Sequence, residues 1–440
     1  MSEAALLNES RGYDRGMPLS SILLCTVMLV VGGAFLLAEH RLQGQQVSVV
    51  EEAASGPGYL RQLGLIAIGV LGGLLLILPN RRSLDFTSPL AILVIALGLL
   101  CVVSLLWTPA FSLSLRRLSG VVLCGTGGLG ICMHFSLRDL CKIVLVISGT
   151  FLCIGIFFEV LGHGFVMASS RYRFGGTVNP NLQGLYCSML GLTSMCLQRD
   201  APRSGFLLRL IFVVAVGFLL LTGSRTALYS FVVAVTCYVW VLGTPIVKAV
   251  LVTGLTACLT LILVLGELLM GGMATRIVGM ITVGRNVDTI STLTGRGPLW
   301  SELLQDFGQR PLLGYGFQGY WTGDRILGIG DSTGWAAQGA HNSYLEVALG
   351  VGIVGCILFV LILGVGIFRA RRLFISTEDA GYGFALLWLV FAVVHSLAEG
   401  VFAKPTLFPG MVFLCVLMML AVQRHPMMVN RAYHSHLNDG

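Results

Sequence analysis

An all-α, polytopic membrane protein of about twelve transmembrane helices, with one long extracytoplasmic loop containing short helices, is the fold class this sequence predicts. Three observations predict it. Of 440 residues, 55% are hydrophobic and only 11% charged, with a mean hydropathy of +0.86, whereas a soluble globular chain is roughly 25% charged. Soluble domains could not cover their surfaces with so few charges, which excludes a soluble enzyme and a disordered chain. The apolar residues fall into runs of about 20, the length that crosses a hydrocarbon core as a helix. The 56 glycines agree with the raised use of Gly in membrane helices.

The runs lie at 20–38, 60–79, 89–107, 118–135, 141–162, 181–197, 206–222, 226–243, 245–266, 343–367, 383–402 and 406–423. The first lacks a small-residue cleavage site and reads as a span, not a signal peptide. The sixth is short and polar at its start. Between the ninth and tenth runs lies the one long hydrophilic stretch, 267–340, which contains Arg276, Arg285, Arg296, Arg310 and Arg325. The predicted organisation is therefore helices 1–9 over 1–266, a long periplasmic loop over 267–340, and helices 10–12 with a cytoplasmic tail over 341–440. No repeat of fixed period is present.

Basic residues set the orientation, because they gather on the cytoplasmic side of short loops. With both termini inside, the inner loops hold fifteen Lys and Arg, from Arg11 to Arg431. The outer loops hold eight: Arg41, Arg61, Arg116, Arg117, Arg171, Arg173, Arg225 and Lys404. Cytoplasmic termini and an outer long loop follow. Of the 28 basic residues, all but Lys142, Lys248 and Lys404 are Arg, whose planar fork grips phosphate in bidentate fashion. They are scattered between apolar segments, unlike the clustered basic face of a nucleic-acid protein, so no nucleic-acid partner is expected. The twelve cysteines include no CxxC pair and read as small buried hydrophobes, with no metal or disulfide implied.

The outer arginines oppose the topological bias. For Arg41 and Arg61, contact with membrane lipid headgroups explains this. Arg225 is different, since it sits in the three-residue break Gly223-Ser-Arg225 between two apolar runs, and a charge in so tight a turn points to a functional site. Further on, His341-Asn342-Ser-Tyr-Leu-Glu346 marks the entry from the long loop into the tenth run. Histidine can take a proton from a hydroxyl near neutral pH. Asn342 and Glu346 share a helix face, so Glu346 is expected to orient the imidazole or an acceptor sugar, and an N-cap with an acid in the first turn is an equally available reading.

Arg171-Tyr-Arg173 precedes the Asn179-Pro-Asn181 turn, and Glu399 closes the eleventh run after His395, where a counter-charge for several arginines is expected. A short amphipathic helix is expected at 300–307. The tract from Arg310 to Trp321 is rich in Gly and aromatic rings, which suit sugar faces and membrane interfaces alike. Gly350, Gly352 and Gly355 spell GxGxxG but lie within an apolar run without a preceding strand, so helix packing is expected there, not dinucleotide binding.

These pieces, in order, resemble the O-antigen ligase and Wzy-type polysaccharide polymerase superfamily of bacterial inner-membrane glycosyltransferases. The resemblance rests on Ser104-Leu-Leu-Trp107, Ser114-Leu-Arg116-Arg117, Thr177-Val-Asn179-Pro-Asn181-Leu-Gln-Gly184 and Thr222-Gly-Ser-Arg225. It continues through Gly295-Arg296 with Leu299-Trp300, Pro311-Leu-Leu-Gly-Tyr-Gly316, and His341-Asn342 through Gly352 and Gly355. It implies a metal-independent transfer at the periplasmic face of the inner membrane, with no cofactor. The implied donor is an undecaprenyl-diphosphate-linked glycan, and the implied acceptor is a saccharide or lipid A-core; a chain-length regulator protein is a further implied partner.

Mapped by motif, His341 is the implied catalytic base and Arg225 and Arg296 hold the diphosphate. Arg173 and Arg116 are expected beside them, supported by Asn342, Glu346, Glu399 and Asn181. The Gly314-to-Trp321 tract and the His395-Ser-Leu-Ala-Glu399-Gly ending look more like exopolysaccharide polymerases than lipopolysaccharide ligases. The rival class is a lipid-linked oligosaccharide transporter, which would place charges near the midplane of repeated halves. The apolar runs here carry none there.

Overall fold

The structure, a computed structural model, describes residues 18–39, 58–79, 82, 84–162, 172–200, 204–250, 252–254, 296–334 and 336–423. Among these residues it is helical, and no named strand occurs. The helices are α1 (Pro18–Glu39), α2 (Tyr59–Ile77), α3 (Pro89–Val103), α4 (Phe111–His134), α5 (Leu137–Leu161), α6 (Pro180–Leu197), α7 (Gly205–Leu221) and α8 (Arg225–Leu242). After the long undescribed stretch come α9 (Arg296–Gln309), α10 (Gly323–Thr333), α11 (Ser343–Thr377), α12 (Ala380–His395) and α13 (Phe408–Val422).

Among the described residues, five helical segments are long and apolar enough to cross a membrane: Tyr59–Ile77, Pro89–Leu106, Leu137–Leu161, Arg225–Leu242 and Ser343–Thr377. Some helices on other apolar runs are shorter, such as the 17 residues of α7 and the 15 of α13, and the 24-residue α4 carries Arg116 and Arg117 in its second turn. The ninth run is described only at its start, and residues 255–295 of the chain lie outside the described residues.

Helix starts follow local chemistry. Ser88 caps α3, accepting from Ala91 N–H, with Pro89 as first residue. Ser136 and Asp139 form a reciprocal capping box on α5, and Asn179, Asn342 and Asp379 cap α6, α11 and α12. Each satisfies backbone N–H groups that the first turn leaves orphaned.

α12 is apolar all round and sits at the centre. Phe384, Trp388 and Phe391 are fully buried, and the helix packs on α5, α6, α8, α11 and α13, as an all-round apolar helix must. α2 and α4 run side by side with their backbones close: a Cβ on Gly72 would strike the Thr126 carbonyl, and one on Gly130 would lie 2.8 Å from Gly72 O. Small residues permit that approach where lipid supplies no hydrophobic drive.

The tract from α9 to Ala340 folds over one end of the bundle as a cap with its own core: Leu299, Leu303, Tyr315, Tyr320, Trp321, Ile326 and Ile329. α9 begins at Arg296, earlier than the 300–307 expected, because Pro298 falls in the first turn, where its missing N–H leaves no bond unmade. Tyr315, Tyr320 and Trp321 of the 310–321 tract are core, not sugar-facing, while Phe317 is half-buried. Tyr320 donates to Asp306 at 2.5 Å, and Arg325, paired with Asp306, lies over the rings of Tyr315 and Tyr320.

The glycine run corrects another expectation. α11 breaks at Val351 (φ −125°, ψ 20°) and Gly352 (φ 74°, ψ −174°), a conformation only glycine adopts freely. The cap backbone fills the break. Ile353 N–H donates to Pro311 O at 2.8 Å and Leu349 O accepts from Tyr315 N–H at 2.8 Å, so bonds the helix loses are remade by the loop. Gly355 does face another helix, at Leu100 of α3; Gly350 and Gly352 face the cap instead.

Candidate functional site

The cap and five helix ends converge on Glu399, in the turn after α12. Its side chain is 11% exposed. Oε1 accepts from Arg296 at 2.7 Å and from Asn181 Nδ2 at 3.2 Å, and Oε2 faces His341 Nδ1 at 3.0 Å. Asn181 Oδ1 in turn accepts from Arg173 at 2.7 Å, and Arg173 Nε donates to Thr222 O at 2.9 Å. One carboxylate thus joins residues whose chain positions run from 173 to 399. Burial pushes the Glu399 carboxyl up, but the hydrogen bond and charge of His341, with Arg296 and His395, outweigh it and hold it below its ordinary 4.5.

Local sequence explains each placement. Pro180 and the Asn179 cap fix the first turn of α6, where Asn181 N–H donates to Asn179 Oδ1. The segment carrying Arg173 is held by Glu159, near the end of α5, which accepts from Tyr172 O–H at 2.7 Å and from Gly175 and Gly176 N–H. Arg296 is the first residue of α9 and Arg225 the first of α8.

His341 has φ 48°, a left-handed backbone that costs a non-glycine residue of order 1 kcal/mol. The surroundings enforce it. Ala340 N–H donates to Glu346 Oε2 at 2.8 Å; Ser343 N–H donates to Ser396 O and its hydroxyl to Glu399 O, both at 2.8 Å; and Asn342 Nδ2 reaches Leu397 O at 3.2 Å. Backbone strain held by surrounding bonds is a property of functional sites.

Of the residues singled out in the sequence, the structure joins His341, Arg296, Glu399, Asn181 and Arg173. Arg225 stands at the turn that Arg173 contacts through Thr222, and its half-buried guanidinium makes no hydrogen bond or ion pair with a described residue. Arg116 is exposed and is not brought to the cluster. Its neighbour Arg117 instead pins the cap, donating to Gln318 O at 2.6 Å. Asn342 is the N-cap of α11, accepting from Leu345 N–H at 3.0 Å. Arg171 and Arg41 lie outside the described residues.

Glu346 corrects the expectation placed on it. It does not hold the imidazole; Glu399 does. Glu346 points into the cap, accepting from Trp321 Nε1 at 2.8 Å and pairing with Lys404 at 3.0 Å. Spacing within one helix could not reveal the partner of His341, because that partner comes from 58 residues away. Glu159 was also missed, although an acid near the end of an apolar run was a legible signal for it. Trp300, quoted in the sequence only as part of the family resemblance and of a short helix, donates its indole N–H to Ala340 O at 2.8 Å.

Chemically, a carboxylate on Nδ1 selects the tautomer that leaves Nε2 as the basic atom of an imidazole. Guanidinium groups in excess over carboxylates favour an anion, and their fork matches phosphate.

Residues 210–360, which include Arg225, Arg296 and His341, match the O-antigen ligase family. The chain is also similar to the exopolysaccharide production protein ExoQ of Rhizobium meliloti (strain 1021). The two are 33% identical over 125 residues, 25% of this chain and 27% of that relative, so the match spans about a quarter of either protein.

Proposed function

We propose that the chain is a membrane glycosyltransferase that moves a glycan from undecaprenyl diphosphate to a saccharide acceptor at the periplasmic face, acting as an exopolysaccharide or O-antigen repeat-unit polymerase. The observation that carries the proposal is one buried carboxylate, Glu399, which holds Arg296 and His341 together beside Arg173 and the turn of Arg225. The similarity to an exopolysaccharide production protein favours a polymerase. The second reading is a ligase that attaches polysaccharide to lipid A-core, and the family matched favours that one.

In this mechanism Arg296, Arg225 and Arg173 hold the diphosphate. Nε2 of His341 takes the proton of the acceptor hydroxyl as its oxygen attacks the anomeric carbon. A new C–O bond forms, the bond from the anomeric carbon to the phosphate oxygen breaks, and the lipid diphosphate leaves with the electron pair. Arginine charge stabilises that leaving group, and Glu399 keeps the imidazole in the required tautomer and orientation. No metal is assigned a role. In this reading the protein sits in the inner membrane with the cap outside and both termini in the cytoplasm, an orientation that the basic-residue count supports.

The test is transfer by the purified protein in vesicles, given an undecaprenyl-diphosphate-linked repeat unit, with EDTA present. The reading requires a new glycosidic bond; movement of label across the bilayer without one would identify a transporter instead. In a deletion strain, loss of secreted polymer with intact lipopolysaccharide assigns the polymerase, and truncated lipopolysaccharide assigns the ligase.

A further inference from the structure

Trp300 lies one helical turn after Arg296 on α9, so the two side chains share a face, about 5–6 Å apart at Cβ. Its indole N–H donates to Ala340 O at 2.8 Å, and Ala340 directly precedes His341. The ring therefore stands one turn from the residue that Glu399 holds and is bonded to the backbone next to His341. Among the described rings of the cap, Tyr320 and Trp321 are 2% exposed and Tyr315 4%, and the Trp321 indole N–H is bound to Glu346; Phe307 and Phe317 are half-buried, but neither bonds to the backbone beside His341. Trp300 is only half-buried. It is fixed at its edge by the hydrogen bond and packs against the cap core.

We infer that the exposed part of the Trp300 ring is the platform for the sugar ring joined to the donor's diphosphate. The inference rests on the glycosyltransferase reading above. An indole face is electron-rich and apolar, complementary to the slightly positive C–H groups on one side of a pyranose. Arg296 on the same helix face would grip the phosphate to which that sugar is bonded, so one rigid helix would read both parts of the donor. Stacking turns the anomeric carbon toward the hydroxyl that His341 deprotonates, and makes Trp300 a specificity-determining residue for the first sugar.

Two substitutions separate stacking from the tether to Ala340. Trp300→Phe and Trp300→Leu both lose the N–H donor, and only Phe retains an aromatic face. In the vesicle assay, Trp300→Leu is expected to raise the donor KM about three- to tenfold with acceptor KM unchanged, while Trp300→Phe stays within about twofold of wild type. Equal loss in both variants, an effect confined to acceptor KM, or no effect overturns the inference.

Binding of undecaprenyl diphosphate without sugar to the full-length protein gives the independent arm. Both variants are expected to bind it as wild type does, and weaker binding by the Leu variant would mean that Trp300 acts through Arg296, not through the sugar. Failure of the wild-type protein to bind this bare carrier would overturn the diphosphate reading itself, and this inference with it.

Discussion

Glu346 and Glu399 are both buried acids at the same end of the bundle, at most 8% exposed, and they have opposite surroundings. Glu346 is closed by its neighbours: Trp321 and Ala340 donate to it, and Lys404 balances its charge. Glu399 is outnumbered, since Arg296, Asn181 and His341 all turn to it while Arg173 and Arg225 stand next to the same residues. Glu346, whose charge also acts on Arg117, has its oxygens filled by donors of the cap and serves as scaffold; Glu399 instead gathers the side chains that face the proposed diphosphate and acceptor. The far end of the bundle supplies the ordinary case. There Arg199 pairs with Glu378, 73% exposed, a surface bridge worth about 0–1 kcal/mol.

The sharpest way to break this contrast is to make the same change at both acids. Glu399→Gln keeps the shape but reverses the preferred imidazole tautomer, so kcat is expected to fall by about 10³–10⁴ while the protein remains inserted. Initial-rate transfer assays on purified protein check this, and a loss below tenfold would put Glu399 with Glu346 as scaffold. Arg225 comes next. If it grips diphosphate with its fork, Arg225→Lys should be nearly as damaging as Arg225→Ala, a loss of about 10²–10³; full rescue by Lys would reduce its role to a point charge.

Glu346→Gln should act on stability instead. The Lys404 pair and the Ala340 anchor weaken, and thermal unfolding of the detergent-solubilised protein should show a loss of about 1–3 kcal/mol with a much smaller change in kcat. A kcat loss as large as that of Glu399→Gln would erase the distinction.

The smallest expected effect is on acid stability. Because the folded Glu399 carboxyl lies below its ordinary 4.5, its stabilising contribution is complete above that pH and is lost as pH falls through the depressed value. Melting temperature should therefore drop on acidification below about 4.5 by more in wild type than in Glu399→Gln. Equal slopes would show that the carboxylate contributes nothing by its charge.

Much of this was legible in the sequence for a simple reason. Apolar run length fixes where helices form, and each expected run has a helix on it in the described residues, with the ninth seen only at its start. Caps were legible too, as Asn342 shows, since they depend on neighbours within one turn. The partner of His341 was not: Asn342 and Glu346 lay close in sequence, while Glu399 reaches the ring only because α12 returns beside α11. The break at Gly352 was missed for a related reason, since a run of apolar residues with glycines reads as continuous helix until a loop backbone is available to remake its bonds. Arg116 and Arg117 show the limit of spacing alone; adjacent arginines face different ways, one exposed and one bound to the cap.

The central claim, that His341 is the proton acceptor of a glycosyl transfer held in place by Glu399, is tested most directly by the turnover of His341→Ala in vesicles charged with the lipid-linked repeat unit. The account predicts a protein that inserts normally and binds undecaprenyl diphosphate, with product formation reduced by about 10²–10⁴. Turnover within a few-fold of wild type would contradict it.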